Sequence, residues 1–129
     1  MSTLSASFDL PPARASVPVA RHLALGLLEA WSAPHDPDDA GLLVTELVAN
    51  VVDHVGGEAA FTVELTLSDT WLRIGVVDSS ANRPVVRPLQ PDSPRGRGMR
   101  LVEAIADRWG VDDHRDGKRV WFELTRPRR

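Results

Sequence analysis

Between Phe61 and Val77 the sequence abandons a helical period for strict alternation, and few folds accept that change in mid-chain. Phe61, Val63, Leu65 and Leu67 alternate with Thr62, Glu64 and Thr66, the pattern of a half-buried strand. Ser68-Asp69-Thr70 interrupts it, and Trp71 to Val77 is strand-like again, so the two segments read as a hairpin. The preceding chain is helical in period. From about Ser16 to Trp31, Val17, Ala20, Leu23, Leu27, Leu28 and Trp31 recur at three and four, and Pro18 falls in the first turn, where a missing N–H costs little. A second helix opens on Asp36 as cap, Pro37 at the first helical position, and Asp38 and Asp39 at the positive dipole end. It runs to about Val55 and stops at Gly56-Gly57. A short strand, Ala6 to Leu10, precedes both helices and ends at Pro11-Pro12.

Beyond the hairpin the chain changes character. Pro84, Pro88, Pro91 and Pro94 exclude a regular element from Asp78 to Arg95, and a loop of that length inside a domain is usually functional or disordered. Gly96-Arg97-Gly98 leads into an expected helix from Met99 to Arg108, with Leu101, Val102, Ile105 and Ala106 on one face. Val111 to Arg115 and Arg119 to Thr125 flank Asp116-Gly117, a hairpin turn signal, with Val120, Phe122 and Leu124 toward the core. Strands that arrive mostly as hairpins make a largely antiparallel or mixed sheet. The expected fold is therefore α+β: a two-layer α/β sandwich whose mixed, mostly antiparallel sheet is covered on one face by helices.

Composition narrows the function classes. The chain has 129 residues, enough for one domain spanning 1–129 around a single core. It has no cysteine, which excludes disulfides, thiolate nucleophiles and Cys-based metal sites, and its four histidines show no metal-ligand spacing. No apolar run approaches the ~20 residues of a membrane span, and residues Met1 to Leu10 lack signal-peptide character, so the expected location is the cytoplasm, with no membrane partner. A net charge of −3 argues against bulk attraction to nucleic acid. The charge is unevenly spread. No Lys or Arg lies between Arg21 and Arg73, whereas thirteen of the fifteen basic residues lie from Arg73 onward. An acidic middle and a basic C-terminal half suit metal-binding and phosphate-binding groups drawn from different segments, or simply two solvated faces of opposite sign.

Three constellations carry candidate chemistry. On the second helix, Glu46, Asn50 and Asp53 fall within an arc of roughly 60°, opposite Val44, Leu47, Val48, Val51 and Val55. They form either a plain solvent face or an oxygen-donor site. Asn is a poor helix-interior residue, and the arc is bordered by Leu42, Leu43 and Ala49, not by Lys and Arg. Such an arc can hold Mg²⁺ through oxygen while a carboxylate orients a nucleophile. Second, Gly96-Arg97-Gly98-Met99 is either a plain turn or a helix N-terminus open to phosphate, the latter reading strengthened by Arg95, Arg97 and Arg100. Third, Asp78 at the end of a strand is either a turn former or an acceptor for an exocyclic amine such as adenine's.

In this order these pieces resemble the nucleotide-binding fold of the GHKL (Bergerat-fold) superfamily of type II topoisomerases, heat-shock chaperones, sensor histidine kinases and mismatch-repair ATPases. The resemblance covers nearly the whole chain. Thr45-Glu46-Leu47-Val48-Ala49-Asn50 with Asp53-His54, Arg95-Gly96-Arg97-Gly98-Met99, Trp109-Gly110 and Gly117-Lys118-Arg119-Val120-Trp121-Phe122 look most like the small bacterial anti-sigma-factor serine kinases. The resemblance implies ATP with Mg²⁺ as cofactors and Asn50 as the metal-binding residue. It implies Glu46 as the catalytic group that polarises the attacking hydroxyl. Asp53, Asp78, Gly96, Arg97, Gly98 and Met99 fall to nucleotide binding, with Asp78 on the adenine amine. Two departures are plain. The family's Asp-x-Gly-x-Gly reads Asp78-Ser79-Ser80-Ala81-Asn82 here, and the Thr usual after the last motif glycine is replaced by Lys118, which stands to contact phosphate instead.

The resulting expectation is an ATP-dependent serine/threonine protein kinase that binds a sigma factor and phosphorylates its serine-bearing antagonist. It has the option of a homodimer and no direct nucleic-acid partner. The alternative is a non-catalytic or weakly hydrolytic nucleotide-binding regulatory module, favoured by the missing glycines. Direct nucleic-acid binding through the arginines lacks an accompanying aromatic stacking motif.

Overall fold

A computed structural model describes residues 3–55, 59–78, 102–114 and 117–127. Its elements follow the expected order: β1 (Leu4–Leu10), α1 (Ser16–Ala30), α2 (Pro37–Val55), β2 (Phe61–Leu67), β3 (Trp71–Asp78), β4 (Arg108–His114) and β5 (Gly117–Thr125). The five strands form one sheet in the order β1-β2-β3-β5-β4, and every neighbouring pair is antiparallel. The α+β expectation holds, with the choice between mixed and antiparallel falling to antiparallel.

The second helix starts where its cap signals place it. The Asp38 N–H donates to Asp36 Oδ1 at 2.8 Å, satisfying one of the otherwise orphaned first-turn donors, and the Ala40 N–H makes the first intrahelical bond to the Asp36 carbonyl at 3.0 Å. Along α2 the buried apolar positions are Ala40, Leu43, Val44, Leu47, Val48 and Val51, a continuous stripe at three and four. That stripe lies on the sheet, and β3 is the strand it packs on. Leu43, expected at the border of the polar arc, belongs to this core stripe instead.

Helix α1 packs on α2 through a narrower ridge of Ala20, Ala24 and Leu28, spaced by four. A helix seated on another helix needs only one i, i+4 ridge, so Ala24 is buried and Leu23, expected in the core, is 40% exposed. The helix ends in a Schellman arrangement: Ser32 N–H to Glu29 O and Ala33 N–H to Leu28 O, with Ser32 at φ 54 in the left-handed position.

Two boundaries differ from the sequence reading. The expected helix to Arg108 is helical over 102–105 among the described residues and ends there, because the Asp107 N–H already donates to the Glu123 carbonyl at 2.9 Å and Arg108 opens β4. Asp107 also accepts from the Thr125 N–H at 2.7 Å, which fixes the strand's entry. In the β4–β5 hairpin His114 pairs with Gly117, so the connection is residues 115 and 116, not Asp116-Gly117.

Candidate functional site

The helix-side face of the sheet is best read as rows running across the strands. Directly opposed residues share a face, and their Cβ atoms stand about 4.5–5.5 Å apart. One row is Ala6, Leu65, Ile74, Phe122 and Trp109, and the next is Phe8, Val63, Val76, Val120 and Val111. Both are apolar throughout. The row beyond them, at the sheet end where β3 finishes, reads Leu10, Phe61, Asp78, Lys118 and Asp113. The apolar face thus breaks into charge over three adjacent strands.

Asp78 is the critical member. It continues the inward-facing series Leu72, Ile74 and Val76 and is 4% exposed. A carboxylate taken out of water costs several kcal/mol unless partnered, so packing alone does not account for it there, and Asp78 is indeed engaged by a neighbour. Lys118 is half-buried, and Asp113 beyond it is exposed. Asp113 went unnoticed in the sequence because the strand was expected to begin at Arg119, leaving Lys118 without a cross-strand partner; the hairpin register pairs Lys118 with Asp113.

On α2 the polar arc flanks the packing stripe. Glu46 and Asn50 are half-buried and Asp53 is exposed. Asn50 is likewise engaged by a neighbour. The structure brings Asp78 and Lys118 together as register partners and sets Glu46, Asn50 and Asp53 on one arc of the helix that packs on β3. Gly96, Arg97, Gly98 and Met99 lie outside the described residues, as do Ser79, Ser80, Ala81 and Asn82 beyond Asp78. Among the described residues no group of three or more His, Asp or Glu side chains is arranged to hold a metal ion.

The opposite face of the sheet differs in kind. It carries an open groove of about 520 Å³ lined by Ser5, Ser7, Glu64, Arg73, Gly75 and Arg119. Its charges are already matched: Arg119 Nε donates to Glu64 Oε1 at 2.9 Å, and Arg73 pairs with Glu123 through Nε at 2.8 Å. The Arg73 guanidinium lies 4.5 Å from the ring centre of Trp121, and that indole covers Gly110, where an added Cβ would meet Trp121 Cζ2 at 2.8 Å. This is a self-satisfied ladder on the face away from Asp78, so it is not the candidate site despite its volume.

Comparison with known proteins agrees with this geometry. The family model for the histidine kinase-like ATPase domain matches residues 10–124. An uncharacterized protein of Streptomyces coelicolor is 39% identical over 86 residues, covering 62% of this chain and 79% of the relative.

Proposed function

The chain belongs to the histidine kinase-like ATPase domain family, and from that membership we propose that it is an ATP-dependent serine/threonine protein kinase of the anti-sigma type, regulating transcription by partner switching in the cytoplasm. The observation that carries the reading is the buried carboxylate of Asp78 ending an otherwise apolar row of the sheet. An acceptor at the rim of an apolar floor suits a flat purine bearing an exocyclic amine.

The roles follow from chemistry at stated atoms. The Asp78 carboxylate accepts from the adenine amine. Asn50 Oδ1 would hold Mg²⁺ beside Glu46, an amide oxygen suiting an ion that usually retains waters and substrate phosphates around it. When bound, Mg²⁺ supplies charge neutralisation on the phosphates. The Glu46 carboxylate orients the attacking serine hydroxyl of the antagonist and takes its proton, while the new O–P bond forms and the bond to the ADP oxygen breaks. Asp53, one turn on, belongs to the same polar arc and contributes to nucleotide binding there, and Gly96, Arg97, Gly98 and Met99 serve the phosphates. Partners are a sigma factor and its serine-bearing antagonist, with a homodimer as the assembly.

The test is Glu46→Ala. ATP affinity within about threefold of wild type, with transfer of label from γ-labelled ATP to a co-purified antagonist abolished, is the expected outcome. A wild-type protein that binds ATP yet transfers and releases no phosphate is instead a regulatory module, the reading that Asp78-Ser79-Ser80-Ala81-Asn82 favours by lacking glycine.

A further inference from the structure

We infer that the outer edge of β1 is where two copies of this chain join, antiparallel along Leu4–Leu10 about a two-fold axis at Ser7, so that their sheets run into one. The inference rests on the homodimer of the proposed reading and is independent of the nucleotide.

A sheet of order β1-β2-β3-β5-β4 has two end strands, and the chain treats them differently. Free backbone groups on an end strand template pairing with another chain, so exposed edges are normally guarded by charge, proline or a bulge. β4 follows that rule, with Arg108, Asp112, Asp113 and His114 in one strand and Asp113 on its helix-side face. β1 does not. It has no proline, lysine or arginine, and it pairs with β2 at all seven positions without a bulge. Its one charged residue, Asp9, lies on the outward face and accepts from Thr62 Oγ1 at 2.6 Å. The apolar side of β1 is also unfinished. Ala6, Phe8 and Leu10 are half-buried and Leu4 is 42% exposed, although their β2 partners Leu65, Val63, Phe61 and Leu67 are buried. A strand laid alongside completes that floor.

The sequence of β1 fits itself. Antiparallel pairing centred on Ser7 sets Ala6 against the partner's Phe8, Leu4 against the partner's Leu10, and Ser5 against the partner's Asp9. Apolar side chains then meet on one face and polar ones on the other, and every position of the strand is used. Centring on Ala6 or on Phe8 keeps the faces but leaves two residues of each strand unpaired. An axis between residues sets apolar side chains against polar ones. A two-fold pairing also closes, consuming both open edges, whereas β1 against the partner's β4 leaves a free edge at each end and propagates.

Sedimentation equilibrium of the full chain, with and without ATP and Mg²⁺, tests this, with circular dichroism confirming that each variant is folded. Wild type is expected to be a dimer under both conditions. Leu4→Asp, at a position exposed in the single copy, sets a carboxylate against the partner's Leu10 and should weaken the dimer about tenfold. Ser5→Lys gains two cross-strand pairs with Asp9 and should tighten it about fivefold, and Ser5→Asp should weaken it by a similar factor. Wild type that stays monomeric at about 100 μM, where a dimer of micromolar Kd is mostly assembled, overturns this inference and the homodimer together. A dimer unmoved by L4D, or moved in the same direction by S5K and S5D, keeps the homodimer and overturns this edge. A dimer that responds as expected yet binds no ATP supports the edge and removes the kinase reading alone.

Discussion

His35 shows what a single residue can hold in this fold. It lies between the two helices in sequence, is 6% exposed, and neither ring nitrogen has a hydrogen-bond partner among the described residues. Burial lowers its pKa below 6.5, and Arg126 adds to that, whereas the nearby Leu124 backbone and Asp107 oppose it. A site near the Leu124 end of β5 is about 20 Å along that strand from Lys118, so His35 belongs to the scaffold and not to the charged row. The unfolded chain binds a proton at this residue more readily than the folded one. Its neutral form therefore supports stability above pH 6.5, and that support is lost as the pH falls below 6.5 toward the depressed folded value. Urea midpoints measured at pH 7.5 and at pH 5.5 should fall for wild type, and His35→Leu should shrink the difference. An unchanged difference in the variant would assign the pH dependence to carboxylates instead.

At the scale of elements, periodicity was readable wherever an element meets one kind of partner. The alternation of β2 appears in the structure residue for residue, and Val44, Leu47, Val48 and Val51 of the α2 stripe are buried as expected, with Ala40 and Leu43 added, because each element packs on one side. Helix α1 was read less well: a ridge against another helix buries Ala24 where the larger Leu23 was expected. Its solvent side has room to improve. Gly26 is exposed in the middle of α1, and an added Cβ there would meet no atom within 4 Å. Gly26→Ala should thus stabilise the protein by about 0.5–1 kcal/mol through backbone entropy alone, seen as a higher urea midpoint at unchanged slope.

At the scale of the whole molecule, the sheet has two faces with different fates. The outward one satisfies its own charges in the Arg73–Glu123 and Arg119–Glu64 pairs, and the helix-side one keeps its charge for the row at the end of β3. If that row and the α2 arc enclose Mg²⁺ and ATP, the ligand must stabilise the fold by mass action. Saturation at one hundred times Kd should raise the unfolding free energy by about 2.7 kcal/mol. Chelating the metal should remove most of that gain in wild type, and Asn50→Ala should show little gain with or without metal. A gain in Asn50→Ala that still depends on Mg²⁺ would move the ion to another residue.

The sequence by itself determined the order of the elements, most of the core stripe of α2 and the family, because local period, caps and turn residues are written in consecutive positions. It placed Glu46, Asn50 and Asp53 on one arc for the same reason. It could not decide who faces whom across the sheet. Strand pairing is set by a ladder between residues up to 63 positions apart, such as Leu4 and Leu67, and a one-residue slip exchanges every side chain between faces. The sequence reading left Lys118 outside both strands; the folded hairpin puts Asp113 opposite it, and the insertion of β5 between β3 and β4 sets Asp78 on the other side. Only tertiary structure could assemble an acid, a base and an acid from three strands, since the free energy that fixes their register is spread over the whole buried face.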